Sequence, residues 1–113
     1  MVVVDQIRHR KEAEIVADIL AVVSCGARKT HVMYGTNLSY TLTSKYLNKL
    51  QECKLIQYDE ETKKYLLTNT GRRYLEEYGE YKTIEEKMIS HISLFEEKRG
   101  LLIQMLANSE SRE

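Results

Sequence analysis

The stretch LIQYDEETKKYLLTNTG, residues 55–71, decides the predicted fold. Two short runs of β-prone residues, at 55–58 and 64–67, are separated by the polar segment DEETK, a connection of hairpin length. Thr68 or Thr70 can then cap a helix. The stretch therefore predicts a strand, a turn, a second strand and the start of a helix.

Three helices are predicted before this hairpin. Apolar residues recur every three or four positions from residue 6 to residue 24, and Cys25-Gly26 ends the first helix. Residues 30–34 predict a short second helix, after which Gly35 permits a positive φ and a sharp reversal. A third helix, with Asn37 as its cap, runs to about residue 52. The apolar faces consist of Ile7, Ile15, Val16, Ile19, Leu20, Val22 and Val23 in the first helix and of Leu38, Leu42, Tyr46, Leu47 and Leu50 in the third.

The last helix is predicted to begin within TNTG, residues 68–71, and to continue nearly to Ala107. A glycine at position 79 and a capping box that starts at Thr83 allow a break between residues 79 and 82, although we favour a continuous helix. A competing possibility folds the chain back at Gly100, because glycine is unfavourable in the middle of a helix.

Composition and charge limit the possible functions. The chain has 113 residues, 42% of them hydrophobic and 30% charged, as in one soluble globular domain. No apolar run approaches the roughly 18 residues of a membrane span, so no membrane partner is predicted and a cytoplasmic location is expected. The net charge is zero, but residues 1–75 carry twelve basic and eight acidic residues, whereas residues 76–113 carry five and nine. The basic region can meet phosphates.

The third helix carries a polar face beside its apolar one. Thr41, Ser44, Lys45 and Asn48 lie at intervals of three, one and three residues and therefore share one side of the helix, here called the recognition face. Helix-turn-helix modules present this face to the major groove of DNA, where such side chains contact phosphates and base edges. The recognition face has no arginine, the residue that makes the commonest specific base contact, so strong sequence readout is not expected. An ordinary solvated helix face is the alternative.

Further contacts to the DNA backbone are expected around the recognition face. The start of the second helix presents free N–H groups and a partial positive charge to a phosphate. Acidic Asp59, Glu60 and Glu61 at the hairpin tip count against deep insertion there, because they repel phosphates. The predicted supporting residues are Arg28, Lys29, Thr30 and His31 at the second helix, Tyr40 and Lys49 beside the recognition face, and Lys63 and Lys64 in the hairpin.

The last helix carries a coiled-coil stripe that predicts a homodimer. Its members recur at intervals of three and four, with an 11-residue stretch from Ile84 to Phe95 that loosens the supercoil. About 34 helical residues span roughly 50 Å, more than a domain of about 75 residues can cover, and a second copy is the simplest apolar partner. Periodicity leaves the pairing direction open. The predicted seam consists of Tyr81, Ile84, Met88, Ile92, Phe95, Arg99, Leu102 and Leu106.

Together these elements predict a fold that is mainly α with a small β-hairpin, a winged helix-turn-helix followed by a long C-terminal coiled-coil helix. Residues 1–75 are predicted to form the DNA-binding domain and residues 76–113 the dimerisation helix. Dimerisation would place two winged helices in one particle, and their separation would decide whether they bind one site, two sites or two duplexes.

Residues 29–50, KTHVMYGTNLSYTLTSKYLNKL, and the hairpin pattern LI…KKYLLTxxG resemble the crenarchaeal ten-kilodalton winged-helix chromatin proteins. The resemblance covers residues 29–71 and is most specific at MYG, NLSY and LT. It implies a dimer formed by an antiparallel coiled coil, binding to double-stranded DNA with low sequence specificity, bridging of duplexes, and a place in the archaeal nucleoid. The longer C-terminal helix and the neutral overall charge depart from that family.

Cysteine and histidine offer no predicted metal site. Cys25 and Cys53 lie at the ends of the first and third helices, which can come close together in a winged helix. Burial as small apolar residues is expected for both, with a disulfide between them as the alternative. His9, His31 and His91 lack the spacing of metal ligands, so neither a metal nor another cofactor is predicted.

No catalytic residues are predicted, because the chain lacks a glycine-rich phosphate loop, an obvious nucleophile and histidine pair, and clustered carboxylates outside the helix faces and hairpin tip. An enzyme with a small-molecule substrate is therefore not expected. Three functions remain: an architectural DNA-binding protein, a sequence-specific dimeric transcription regulator, and a winged helix that binds proteins through its acidic C-terminal helix. The first predicts binding indifferent to sequence, the second a palindromic footprint and the third no salt-dependent DNA affinity.

Overall fold

The computed structural model describes the backbone of residues 2–111 and the side chains of residues 12–108. In chain order it contains α1 (Val2–Val23), α2 (Lys29–Thr36), α3 (Tyr40–Glu52), β1 (Ile56–Asp59), β2 (Lys64–Leu67) and α4 (Asn69–Ser111). The predicted order of three helices, a hairpin and a long helix is confirmed. The side chain of Ile7, predicted on the apolar face of the first helix, lies outside the described residues.

Two units divide the described chain. The N-terminal unit ends at Tyr78 and the C-terminal unit begins at Gly79. The N-terminal unit has a core to which α1, α2, α3 and β1 all contribute, so that its three helices and its hairpin hold one another in place. The buried apolar residues of this core are Val16, Ile19, Leu20, Val23, Ala27, Val32, Leu47, Leu50 and Ile56.

The caps around α3 differ from the prediction. Asn37 is not the cap of α3 but the C-cap of α2, in the left-handed conformation with φ of 57°. Ser39 caps α3 instead, since its hydroxyl oxygen accepts a hydrogen bond of 3.2 Å from the Leu42 N–H. Both residue types are good caps, so the sequence pattern did not distinguish them.

The buried face of α3 is also rotated from the predicted one. Leu42, predicted to be apolar core, is 41% exposed, whereas its neighbour Thr43 is fully buried. Burial of the Thr43 hydroxyl is possible because it donates a 2.8 Å hydrogen bond to the Ser39 carbonyl. The helix therefore packs with Thr43, Leu47 and Leu50 inward.

Gly35 does not make the predicted reversal, because it lies inside α2 and the positive φ belongs to Asn37. The structure gives Gly35 a different role. A Cβ at this position would lie 3.0 Å from Cγ2 of Val22, so glycine allows α2 to approach α1 closely.

The hairpin is antiparallel, and Ile56 pairs with Leu67 and Tyr58 with Tyr65. The two tyrosine rings pack with their centroids 4.9 Å apart. The loop is shorter than predicted, because Asp59 still belongs to β1. Both carboxylate oxygens of Asp59 accept hydrogen bonds within the turn, one from the Glu61 N–H at 3.2 Å and one from the Thr62 hydroxyl at 2.8 Å.

Thr68 joins the hairpin to α4. Its hydroxyl oxygen caps α4 by accepting a 3.0 Å hydrogen bond from the Gly71 N–H, and the same hydroxyl lies 2.7 Å from the Lys54 carbonyl oxygen. A Cβ at Gly71 would come within 2.3 Å of the Leu55 carbonyl oxygen, so only glycine fits there. One turn later, the Tyr74 hydroxyl donates to the Ala13 carbonyl at 3.2 Å and fastens the start of α4 to α1.

The last helix is continuous from Asn69 to Ser111, as favoured by the sequence. The alternative breaks near Gly79 and Gly100 are wrong, since the helix runs through both. Thr83 caps nothing; its hydroxyl donates to the Gly79 carbonyl at 3.1 Å within the helix. At 1.5 Å per residue, the 43 residues of α4 span roughly 65 Å.

Cys25 and Cys53 are both free thiols, and both are exposed. The predicted burial is wrong because α1 ends at Val23 and Cys53 is the C-cap of α3, which places both residues at helix ends rather than on core faces. The alternative disulfide is not formed in this structure.

Candidate nucleic-acid interface

Most of the recognition face of α3 is accessible. Inward packing of Thr43, Leu47 and Leu50 turns the opposite side of the helix outward. Three of the four predicted recognition residues, Thr41, Lys45 and Asn48, are exposed. Ser44 is half-buried and its hydroxyl oxygen is enclosed by the protein, so this hydroxyl does not face the open surface as predicted. A rigid helix thus holds a lysine, an amide and a hydroxyl on one open surface, which suits contact with phosphates and base edges.

Lys29 and Tyr40 connect the first turns of α2 and α3. The Lys29 ammonium lies 3.9 Å from the centre of the Tyr40 ring, within the range of a cation–π contact. Hydrogen bonding and the positive charge of Lys29 lower the pKa of the Tyr40 hydroxyl. The contact brings two of the predicted supporting residues together at the N-terminal edge of the recognition face.

The start of α2 lies beside the second strand of the hairpin. Ala27 exchanges two backbone hydrogen bonds with Tyr65, of 3.1 and 2.7 Å. Arg28 precedes the helix in an extended conformation, and its side chain makes no capping hydrogen bond. Arg28 follows Ala27 and Lys64 precedes Tyr65, so these two basic residues belong to neighbouring backbone segments. Arg28, Thr30, His31 and Lys64 are exposed, as predicted for backbone contacts.

The hairpin tip presents charges of both signs. Lys63 is exposed and adopts a positive φ of 60°. The carboxylate of Asp59 is occupied by hydrogen bonds within the turn, while Glu60 and Glu61 are exposed. Lys63 precedes Lys64, so the two lysines of the hairpin stand side by side in the chain at the start of β2.

Lys49 differs from the other predicted contacts because it has an acidic partner inside the chain. Its Nζ lies 2.7 Å from Oε1 of Glu12 on α1. This hydrogen bond and ion pair lower the pKa of Glu12 and raise the pKa of Lys49. Sequence inspection missed Glu12, since 37 residues separate the pair and no local pattern links them.

Gln51 is a second residue that the sequence analysis missed. It lies three residues after Asn48 and continues the same side of α3, so this spacing was the available signal. With Lys54 and Gln57 it lines a groove of about 500 Å³ between the end of α3 and β1. The polar surface of α3 thus extends toward the hairpin.

The predicted seam lies on α4, and its apolar members are exposed. Ile84, Phe95, Leu102 and Leu106 are each more than 60% exposed, and Tyr81, Met88 and Ile92 are between 36 and 42% exposed. Arg99 also reaches solvent and lies 3.2 Å from a carboxylate oxygen of Glu96. A row of large exposed apolar residues is uncommon on a soluble monomer.

The described side chains contain no group of three or more His, Cys, Asp or Glu that could hold a metal ion. Among the described helices, none combines the length and apolar character needed to cross a bilayer.

Comparison with known proteins identifies the fold family. A family model described as winged helix-turn-helix matches residues 9–86. The chain is also similar to the crystal structure of Sso10a-2, a DNA-binding protein from Sulfolobus solfataricus, with a TM-score of 0.67 and 27% sequence identity over 75% of this chain and 92% of that one. No curated protein matches the sequence. The similarity to Sso10a-2 confirms the resemblance found in residues 29–71, and the chain belongs to the winged helix-turn-helix family.

Proposed function

We propose that this chain is a homodimeric protein that binds double-stranded DNA with low sequence specificity and organises DNA in an archaeal nucleoid. The observation that carries the proposal is the exposed polar side of α3 within a winged helix-turn-helix unit. Sso10a-2, which is described as a DNA-binding protein, covers most of the same chain and supports the assignment. In this proposal, residues 1–75 bind DNA and residues 76–113 form the dimer.

Low specificity follows from the chemistry of the recognition face. The exposed Thr41 hydroxyl and Lys45 suit phosphate oxygens, which are the same in every sequence. Asn48 can make paired hydrogen bonds with adenine, but the recognition face of α3 carries no arginine to make the corresponding contact with guanine. Most of the binding free energy is therefore expected to come from phosphate contacts and counterion release.

Dimerisation through α4 is supported by the exposure of the seam. Phe95 and Leu106 are 64 and 69% exposed in the single chain, and the other apolar seam residues lie along the same stripe. Burying such side chains against a second helix gains roughly 1.5–3 kcal/mol for each one fully covered. A second copy supplies an equally long apolar stripe.

Antiparallel pairing, which the family resemblance implies, gives most of the seam a defined register. Three pairs of seam residues lie at equal distances on either side of the midpoint between Ser93 and Leu94, so two antiparallel copies crossing there bring the members of each pair together. In a parallel pair, Arg99 would face its own copy, and like charges within a seam are unfavourable. The equidistant pairs are Tyr81 with Leu106, Met88 with Arg99, and Ile92 with Phe95.

A spin-label distance distinguishes the two pairing directions. Thr83 is exposed and lies off the seam, and replacing Cys25 and Cys53 by Ser allows a single label on Thr83→Cys. Antiparallel pairing about the proposed midpoint separates the two labels by about 32 Å along the helix axes. Parallel pairing would bring them to about the distance of two packed helices, roughly 10 Å between axes, and would contradict the proposed register.

A titration with two unrelated duplexes at two salt concentrations tests DNA binding and specificity together. Affinities that fall steeply with salt and are nearly equal for both duplexes support the architectural function. Binding to one duplex alone would favour a sequence-specific regulator, the second candidate, for which Asn48 offers a base contact. No binding to either duplex, followed by failure of a random-sequence selection, would favour a protein-binding module.

A further inference from the structure

Glu12 lies against the edge of α3 that carries two of the proposed DNA contacts. Its Oε1 is 2.7 Å from Nζ of Lys49, and both side chains remain more than half exposed. The carboxylate is supplied by α1, so the packing of α1 against the rest of the N-terminal unit fixes its place beside α3. The pair is thus an ion pair between elements, formed at the surface where the duplex is expected.

The same carboxylate also interacts with Lys45. After the hydrogen bond and charge of Lys49, the positive charge of Lys45 contributes to the lowered pKa of Glu12. Lys45 and Lys49 are four residues apart and are therefore neighbours one turn apart on α3. A carboxylate paired with Lys49, and attracted by the charge of Lys45 one turn away, has the charge arrangement that a phosphate would have at this edge of the helix.

We propose that Glu12 is an internal competitor of DNA, a carboxylate that occupies the place of a backbone phosphate beside Lys45 and Lys49 and must be displaced when the duplex binds. The inference rests on the proposed binding of DNA through α3. The exposed ion pair can open readily, since such pairs contribute little to stability. DNA binding then exchanges a lysine–carboxylate contact for a lysine–phosphate contact, and the freed carboxylate remains close to the duplex as a repulsive charge.

This competition makes a directional prediction about affinity. Glu12→Gln removes the competing charge while keeping the size of the side chain, so the two lysines are free before DNA arrives. From the usual strength of an exposed ion pair, we expect DNA affinity to rise roughly two- to fivefold. The salt dependence should be at least as steep as in the unmodified chain, because the phosphate contacts are retained.

Asp18→Asn is the matched control. Asp18 is an exposed carboxylate on the same helix, and its neutralisation changes the net charge by the same amount. Partial burial and, after it, the negative charge of Glu14 raise the pKa of Asp18, and no lysine of α3 is among the causes. A general effect of net charge would therefore raise affinity equally in both variants, whereas competition at Lys45 and Lys49 raises it in Glu12→Gln.

The decisive experiment measures the affinity of the full chain for one duplex at two salt concentrations, in the unmodified protein, in both single variants and in a Lys49→Gln background. We expect Glu12→Gln to exceed Asp18→Asn, and most of that gain to vanish when Lys49 is also Gln. Equal gains in the two single variants, or an undiminished gain without Lys49, would overturn the inference. Absence of DNA binding by the unmodified chain would overturn the proposed function and this inference with it, whereas binding without a specific Glu12 effect would overturn only the latter.

Discussion

The two units of the chain use apolar residues in opposite ways. In the N-terminal unit, Ile19, Leu20 and Val32 are fully buried by other elements of the same chain. In the C-terminal unit, Phe95 and Leu102 point large apolar side chains into solvent. Apolar residues that the chain buries itself stabilise the fold of the N-terminal unit, whereas the exposed stripe of the C-terminal unit is the basis for the proposed partner.

The charges follow the same division. Residues 1–75 have an excess of basic residues and residues 76–113 an excess of acidic ones. The neutral total charge therefore hides two regions of different chemistry, one suited to phosphates and one that repels them. The basic excess of residues 1–75 can therefore attract DNA even though the whole chain has no net charge.

The largest expected effect comes from breaking the seam. Ile92→Glu with Phe95→Glu places two charges in the proposed interface, and we expect the dimer dissociation constant to rise at least about a thousandfold, because unpaired buried charges are strongly unfavourable. Helix content should fall as well, since a long helix without packing is marginal in water. Analytical ultracentrifugation and circular dichroism measure the two changes.

Ser90→Glu with Ser93→Glu is the control for the seam. These two positions add the same number of charges to exposed sites away from the proposed seam. Dissociation by this control, or a dimer that survives the seam substitutions, would show that the stripe has been assigned to the wrong face.

The next largest effect tests the core of the N-terminal unit. Leu47 and Leu42 lie on the same helix, but Leu47 is 1% exposed and Leu42 is 41% exposed. We expect Leu47→Ala to lower the free energy of unfolding by about 2–5 kcal/mol and Leu42→Ala to lower it by much less. Urea denaturation measures both values, and equal losses would mean that the burial pattern of α3 is incorrect.

The recognition face provides a comparison between lysines of the two units. Lys45→Ala with Asn48→Ala should weaken DNA binding by about ten- to a hundredfold and reduce the salt slope by about one. Lys87→Ala also removes a positive charge, but from the C-terminal unit, and should leave DNA affinity nearly unchanged. Fluorescence anisotropy at several salt concentrations distinguishes them, and a similar loss in both would remove α3 as the binding element.

The smallest of these effects concerns the junction before α4. Thr68→Ala removes the cap of α4 and the bonds to the Lys54 and Leu55 carbonyls. We expect a loss of about 1 kcal/mol in the free energy of unfolding, as is typical for a lost cap. Thr70→Ala, at an exposed position in the first turn, is the control and should have little effect by urea denaturation; an equal loss there would remove the special role of Thr68.

The order and nature of the elements could be predicted because they depend on local patterns. The spacing of apolar residues predicted the helices, and the β-prone runs around DEETK predicted the hairpin. The continuous α4 was also predictable, since its stripe outweighed the glycines at 79 and 100. Exposure of Thr41, Lys45 and Asn48 followed from the same periodicity, whereas burial of the Ser44 hydroxyl did not.

The errors concern features decided by contacts between elements. Gly35 was wrongly predicted to reverse the chain. Its role in the structure is to allow a close approach to Val22, and that contact depends on how α1 and α2 pack, which no local pattern indicates. Thr43 replaced Leu42 in the core because its hydroxyl found a carbonyl in the preceding turn. The contact between Glu12 and Lys49 joins residues far apart in the chain, so no periodicity or motif could have indicated it.

Sedimentation of the full chain, alone and with two unrelated dye-labelled duplexes, tests the central claim most directly, because it reports dimerisation and DNA binding in one experiment. We expect a particle of two 13.2 kDa chains without DNA, and sedimentation of both duplexes with that particle at low salt. A particle of a single chain would contradict the role assigned to α4. Duplexes that sediment as free DNA would contradict the role assigned to α3.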